Sequence, residues 1–233
     1  MEDPYKIFRI LIKFMDERYL DSFLNDGLLF MNNIHYFREL EDTNVALRGD
    51  VHEGLAATYN AESLTITFGD HVAEGAIGKV DIRYNHEDNT NIYSMTRISD
   101  GKILEAGNSG FLLSEKFKQF GNRAVVIGGS KIVEFERRLR NAILKDRDIY
   151  TLREDKVLAK QVSYISRKEH HGKMDVFNKF SEYSWQHEWR IALKHTKPPG
   201  PFQLKIGKLS DIADVFETEL LISDPIRLMP IDL

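Results

Sequence analysis

The chain reads Tyr183-Ser184-Trp185-Gln186-His187-Glu188-Trp189-Arg190-Ile191 around its two tryptophans. Apolar and polar residues alternate from residue 188 to residue 194, and this period of two predicts a β-strand. Glu188 and Arg190 fall on one face of the strand, whereas Trp189 and Ile191 fall on an apolar face that would be buried. Gln186 is predicted to point the same way as Glu188, about 7 Å away along the strand, so both could reach one small polar ligand. The alternative is an edge strand with a solvated polar face, on which Glu188 and Arg190 only pair with each other.

The composition is that of an ordinary globular chain. The 233 residues are 42% hydrophobic and 29% charged, which is enough apolar sequence for one core, and we expect a single domain over residues 1–233. A net charge of −4 predicts no general attraction to nucleic acid or to an anionic membrane. The chain has no cysteine, which excludes a disulfide framework, a thiol nucleophile and a thiolate metal site.

The cellular location is predicted from the same features. Residues 1–6 carry acids where a secretory signal carries only bases. Apolar runs are too short for a membrane-spanning helix. Together with the absence of cysteine, this predicts a cytoplasmic protein with no membrane partner.

Residues 7–31 predict a strand–helix–strand unit. Residues 7–14 alternate as a strand, with the cations Arg9 and Lys13 on its less apolar face. Asp16 is predicted to cap the start of the helix. Gly27 is predicted to end it in a left-handed conformation, before a short strand.

The rest of the chain predicts more strands and one long helix. Strands are expected at residues 64–68, 79–84 and 91–98, as an antiparallel meander. A helix follows residue 130, and we expect the following apolar stripe of that helix to pack on a sheet: Ile132, Val133, Phe135, Leu139, Ala142 and Ile143. The predicted fold class is therefore α+β, with mostly antiparallel, twisted sheets, a strand–helix–strand N-terminal unit and one long amphipathic helix packed on the sheet.

Two hydroxyl side chains share a face of the predicted strand at residues 91–98. Ser94 and Thr96 fall on one side, whereas Tyr93 and Met95 fall on the other. They could line a binding site. Ordinary strand preference explains the same residues without any function, because threonine suits β-strands.

The order of these features resembles the Arg-Ser-Glu type of ADP-ribosyltransferase. A cation on the first strand is followed by a serine motif on a central strand and by Gln-x-Glu on a late strand. The resemblance implies that Arg9 or Lys13 holds the phosphates of NAD, with Arg9 slightly favoured because a guanidinium can bind phosphate through two donors. It also implies that Ser94 and Thr96 correspond to the serine motif of the family and bind the cofactor.

The same resemblance implies the chemistry. Glu188 would be the catalytic carboxylate that stabilises an oxocarbenium-like transition state, and Gln186 would contact the acceptor. The chain would then consume NAD as a substrate, by ADP-ribosyl transfer or by NAD glycohydrolysis, and a macromolecular acceptor would be a possible partner. A carboxylate in a preorganised pocket can do this without a metal, so no metal is expected.

Two alternatives remain open. The whole chain also resembles a group of bacterial and phage proteins that share a polar loop ending in Asp-x-x-Glu, here Asp50 to Glu53, and a late Glu-x-Arg strand. This second resemblance implies no function. The first alternative is a non-catalytic binding or interaction protein of phage–host conflict that keeps the same fold without its activity. Metal-dependent nuclease chemistry would instead require four side chains to share metal ions: Asp50, His52, Glu53 and Glu188.

Overall fold

The structure, a computed structural model, describes residues 8–42, 50–73, 75–150 and 159–228. Its strands, in chain order, are β1 (Phe8–Met15), β2 (Leu28–Asn33), β3 (Leu55–Asn60), β4 (Ile66–Phe68), β5 (His71–Ala73), β6 (Lys79–Arg83), β7 (Asn91–Ser99), β8 (Arg123–Gly128), β9 (Ala159–Gln161), β10 (Ser163–Ile165), β11 (Gly172–Lys173), β12 (Asn178–Phe180), β13 (Glu188–Leu193), β14 (Phe202–Lys205) and β15 (Asp214–Glu217). The α-helices are α1 (Leu20–Asp26), α2 (Ile34–Asp42), α3 (Asp100–Glu105), α4 (Lys131–Lys145) and α5 (Thr218–Ser223).

The predicted α+β class is confirmed. The largest sheet has eight strands and runs β14-β2-β7-β1-β8-β15, with β13 and β9 added beyond β7, and its pairs are antiparallel. The N-terminal unit of β1, α1 and β2 is also confirmed. Asp16 caps a 3-10 turn that leads into α1, and Gly27 ends α1 in the left-handed region at φ 61°. In the described ranges, no helix has both the length and the apolar character needed to cross a membrane.

The predicted meander is wrong. The three strands form, but β4 pairs with β5, β6 pairs with β3, and β7 lies in the large sheet. Hydrophobic periodicity predicts that a strand exists, whereas the partner of that strand depends on the packing of the whole chain. The polar loop that ends in Asp50 to Glu53 is described only in part, because residues 43–49 lie outside the described residues.

The large sheet opens beside β7. One edge of β7 pairs with β13 from Asn91 to Thr96. The opposite edge is divided, because β2 pairs at Asn91 and Ile92 whereas β1 pairs only from Thr96 onward. β1 continues to Met15 on β8, and so leaves β7. The registers thus place Tyr93, Ser94 and Met95 at a gap between β1 and β2.

The long helix packs on the face of the sheet behind this gap. In α4, Ile132, Phe135, Leu139 and Ile143 are buried in one cluster with Trp189, as the sequence predicted. The ring of Phe135 lies edge-on to the ring of Trp189, with 6.3 Å between their centres. Val133 does not belong to this stripe and is exposed, because its position is rotated by about 100° from Ile132 around the helix.

Candidate active site

A cavity of about 670 Å³ occupies the gap between β1 and β2. This volume lies within the range of small-molecule sites. Its polar wall includes Lys13, Ser94, Lys179, Gln186, Glu188 and Arg190. Its aromatic wall includes Tyr19, Phe30 and Tyr36, whose rings remain substantially exposed. The cavity therefore combines a charged interior with flat apolar surface near solvent.

Glu188 is fixed at the polar wall by three side chains. Its Oε1 accepts hydrogen bonds from the Ser94 hydroxyl and from Arg190 Nε, the latter at 2.6 Å. Its Oε2 accepts from Lys179 Nζ at 3.2 Å. The backbone N–H of Glu188 donates to the hydroxyl of Tyr164 at 2.8 Å. Glu188 is only 4% exposed as a residue, yet it lines the cavity.

The environment of Glu188 keeps its carboxylate ionised. Burial alone would raise the pKa, but the charges of Arg190 and Lys179 oppose that effect, as do the hydrogen bonds from Arg190 and Ser94. The net result is a pKa below the usual range of glutamate. Glu188 is therefore suited to accept hydrogen bonds and to stabilise positive charge, and not to act as a general acid near neutral pH.

Arg190 links Glu188 to the loop before β3. Its two terminal nitrogens bind the carboxylate of Glu53 at 2.6 and 3.0 Å, and one of them also donates to the Val176 carbonyl. The guanidinium is 1% exposed, and burial opposes its charge, but Glu188 and Glu53 raise its pKa. The edge-strand alternative is wrong, because β13 pairs with β7 on one side and β9 on the other, and all its residues are buried.

Gln186 reaches the site by a different route from the one predicted. It ends the 3-10 turn at Ser181–Gln186 and does not extend the strand. The chain reverses at His187, which adopts the left-handed conformation at φ 45°, a strained geometry for a residue with a side chain. Lys179 Nζ then donates to Gln186 Oε1 at 3.0 Å while it also contacts Glu188. Gln186 and Glu188 thus meet at one ammonium group.

The two cations of the first strand lie in different places. Arg9 is half-exposed and forms a two-point ion pair with Asp100, at 2.9 and 2.7 Å, outside the cavity lining. Lys13 lines the cavity, where its ammonium donates to the Ser94 carbonyl at 2.8 Å and lies 4.1 Å from the centre of the Tyr93 ring. The geometry favours Lys13 over Arg9 for any contact with a ligand in this cavity.

The predicted faces of β7 are confirmed. All four residues line the cavity, and of these Tyr93 and Met95 also belong to the core cluster behind the sheet. Thr96 lies opposite Glu188 in the register of the two strands. Both hydroxyl residues are thus next to the candidate catalytic carboxylate.

The four side chains of the nuclease hypothesis do not form a shared site. Arg190 lies between Glu53 and Glu188, and its donors fill the space that a cation would need. His52 instead contacts Arg167 and lies 3.7 Å from Asp81. Over the part of the chain that the structure describes, no group of three or more His, Asp or Glu side chains could hold a metal ion.

Several residues of the cavity were missed by sequence reasoning. Lys179 carried no signal, because a lysine between Asn178 and Phe180 belongs to no motif or clear periodicity. Phe30 carried no signal either: it is exposed between buried Leu29 and Met31 on β2, but residues 28–31 are all apolar, so alternation could not show which of them faces the cavity. Tyr36 and Arg18 follow the ends of β2 and β1, where strand periodicity no longer predicts direction.

Asp50 gives the buried network a pH dependence. The residue is 2% exposed, and its side chain accepts a hydrogen bond from the His52 N–H at 2.9 Å. Burial, and then repulsion by Glu53, raise the pKa of Asp50 from 3.8 to about 7. Below about pH 4 the Asp50 carboxyl group is protonated in both the folded and the unfolded chain, so it contributes no pH dependence to the stability. Between these pKa values only the unfolded chain loses the proton, and stability falls until about pH 7.

Asp50→Asn should therefore stabilise the protein at neutral pH. We expect the free energy of unfolding of the variant, relative to the parent, to rise from about pH 4 to pH 7 by up to about 4 kcal/mol and then to stay constant. Urea denaturation at a series of pH values measures this. A difference that is constant across the range would show that Asp50 is ionised in the folded protein. Protonation of Glu188 affects stability in the opposite direction, because its pKa is lowered in the folded protein. This effect occurs at a lower pH than that of Asp50.

Comparison with models of protein families, with curated proteins and with solved structures finds no match for this chain. The chemistry of the site is therefore inferred from its own residues.

Proposed function

We propose that this protein consumes NAD, by transferring ADP-ribose to a macromolecular acceptor or to water. One observation carries the proposal: the Ser94 hydroxyl, the Gln186 amide and the Glu188 carboxylate converge in one cavity with an aromatic wall. These are the residue types, in the same order, that the resemblance to the Arg-Ser-Glu type of ADP-ribosyltransferase requires.

The reaction breaks the bond between nicotinamide and ribose. The bonding electrons leave with the nicotinamide nitrogen, and positive charge develops on the ribose. The ionised Glu188 stabilises that charge from a fixed position, since Ser94, Arg190 and Lys179 already orient it and no reorganisation is needed. The nucleophile, water or an acceptor group, then bonds to the ribose carbon and releases its proton.

The remaining cavity residues suit the rest of a dinucleotide. The ammonium of Lys13 is close enough to the Ser94 backbone to hold a phosphate beside the ribose. The exposed rings of Phe30 and Tyr36 offer stacking surface for a base. No step of this scheme requires Arg9, which is occupied by Asp100.

A second candidate function is binding without turnover. Two cations, Arg190 and Lys179, contact Glu188, so its negative charge is largely matched within the protein. Such a carboxylate stabilises a cationic transition state less well than an unpaired one. This observation favours a protein that binds a ligand in the same cavity without turnover.

A thermal-shift titration with nicotinamide analysis separates these functions. NAD at about 100 times its dissociation constant should stabilise the protein by about 2.7 kcal/mol, or about 5–10 °C in melting temperature for a chain of this size. Free nicotinamide should accumulate in the same samples. A shift without nicotinamide release supports the binding function, and the absence of both with NAD and ADP-ribose contradicts both proposals.

A further inference from the structure

Asn32 presents an unused side-chain amide to the cavity. It lies on β2 between buried Met31 and buried Asn33, is itself only partly buried, and lines the cavity together with Phe30 from the same face of the strand. Among the described residues, none forms a hydrogen bond or an ion pair with its side chain. The amide of asparagine has two N–H donors and a carbonyl acceptor, so it can bind a polar group of a ligand.

The asparagines beside Asn32 have structural roles. Asn33 Oδ1 accepts a hydrogen bond from the Tyr36 N–H at 2.9 Å, at the start of α2. Asn91 Nδ2 donates to the Met31 carbonyl at 2.7 Å and so ties β7 to β2. These two side chains stabilise the fold, whereas the side chain of Asn32 supports no element in the described part of the chain. Its place in the cavity wall therefore points to a ligand.

The sheet register places Asn32 next to Ser94. Asn32 pairs with Ile92 across β2 and β7, which are antiparallel, and Ser94 follows two residues further along β7. Diagonal neighbours of this kind lie about 7–8 Å apart. In the proposed function Ser94 orients Glu188 beside the ribose, so a ring bonded to that ribose can reach from Ser94 toward Asn32. Ile92 and Phe37 line the same part of the cavity and offer apolar surface to a flat ring.

We infer that Asn32 is a specificity-determining residue that binds the carboxamide of the nicotinamide ring. The inference rests on the proposed function and names the leaving group that the cavity accepts. Two carboxamides can form a pair of hydrogen bonds, because each donates an N–H to the carbonyl of the other. A ring that carries a carboxylate offers only acceptors, so the Asn32 carbonyl would then face an oxygen without a hydrogen.

The experiment compares three dinucleotides: NAD, nicotinic acid adenine dinucleotide and nicotinamide hypoxanthine dinucleotide. Chromatography of the released pyridine base gives kcat and KM for each. We expect the parent to prefer NAD over the nicotinic acid analogue by at least about 10-fold in kcat/KM. The hypoxanthine analogue keeps the carboxamide and changes only the edge of the other base, so it shows which ring Asn32 contacts.

Asn32→Ala should remove the preference for the carboxamide. We expect KM for NAD to rise about 10-fold while kcat stays within about threefold, because the carboxamide is held equally before and during cleavage. The preference for NAD over the nicotinic acid analogue should fall to about twofold or less. The preference between NAD and the hypoxanthine analogue should stay at its parental value.

Two further variants separate recognition from a structural role. Asn141→Ala is the matched control, because Asn141 is exposed on α4 and lies outside the cavity lining, and it should keep the parental kcat/KM values. Asn32→Asp keeps the size of the side chain but has no donor when ionised. It should lower kcat/KM for NAD and widen the preference against the nicotinic acid analogue, because two carboxylates repel each other. If Asn32→Ala does not fold, as judged by its melting transition, Asn32→Asp decides, since a structural role would lower kcat/KM equally for all three dinucleotides.

The outcomes distinguish this inference from the proposed function. Loss of the carboxamide preference in Asn32→Ala supports the inference. A parent without that preference, a preference that Asn32→Ala retains, or a change only toward the hypoxanthine analogue overturns it while leaving NAD cleavage in place. If the parent binds NAD without releasing nicotinamide, the proposed cleavage fails, and the same ratios of dissociation constants still decide the role of Asn32. Failure of the parent both to bind NAD and to release nicotinamide overturns both.

Discussion

From the proposed NAD cleavage, we expect Glu188→Gln to lose nicotinamide release, with kcat at least about 100-fold below that of the parent. The substitution keeps the size of the side chain but deletes the negative charge that stabilises the positive charge developing on the ribose. It also replaces one acceptor oxygen by an amide NH2 group, which then faces the donor of either Arg190 or Lys179. Quantification of nicotinamide by chromatography under saturating NAD gives kcat directly.

The same substitution has a cost in stability, because Glu188 is part of a buried ionic network. Loss of one member of a buried ion pair leaves the partner charges without compensation, and we expect a decrease of about 3 kcal/mol in the free energy of unfolding. Arg190 retains Glu53, so the fold itself should survive. Urea denaturation measures this term, and kcat must be compared on folded protein.

A matched control separates the two effects. Glu134→Gln is the same chemical change at a glutamate bound by Arg137 and Arg138 on α4. It should leave nicotinamide release unchanged. If Glu188→Gln loses stability but keeps the parental kcat, Glu188 is a structural carboxylate and other residues of the cavity carry the reaction.

The sequence predicted the parts of this site that follow strand periodicity. The alternation at 188–194 correctly placed Glu188 and Arg190 opposite Trp189 and Ile191, and the strand ends within one residue of its predicted limit. Periodicity failed at Gln186, because it assumes a continuous strand and cannot detect the left-handed reversal at His187. Gln186 still reaches the site because Lys179 bridges it to Glu188.

The contacts that define the site electrostatically could not be predicted. Glu53 and Arg190 are charged residues of the kind usually found at the surface. Nothing in their local sequence indicates that they bind each other in the interior. The position of the gap likewise depends on where β1 leaves β7, which is a property of the sheet and not of either strand alone. This is why Lys13 faces the cavity whereas Arg9, on the same predicted face, pairs with Asp100.

The platform behind the site depends on Phe135. Its side chain is 0% exposed on α4 and packs against Trp189, the neighbour of Glu188 on β13. Truncation of a buried phenylalanine to alanine removes its packing contacts and leaves a cavity that the surrounding side chains only partly fill. Phe135→Ala should therefore lower the free energy of unfolding by about 3–5 kcal/mol.

Val133→Ala provides the control within the same helix. Val133 is 69% exposed, and alanine is the better helix former, so its substitution should change stability by less than about 0.7 kcal/mol and could be stabilising. Urea denaturation of both variants measures the loss of packing energy, provided that the free energy of unfolding has the same slope against urea concentration in each. If the two substitutions had equal small effects, α4 would not pack on the sheet through Phe135. A large effect of Phe135→Ala alone would show that the core contact between α4 and Trp189 supports the strand that carries Glu188 and Arg190.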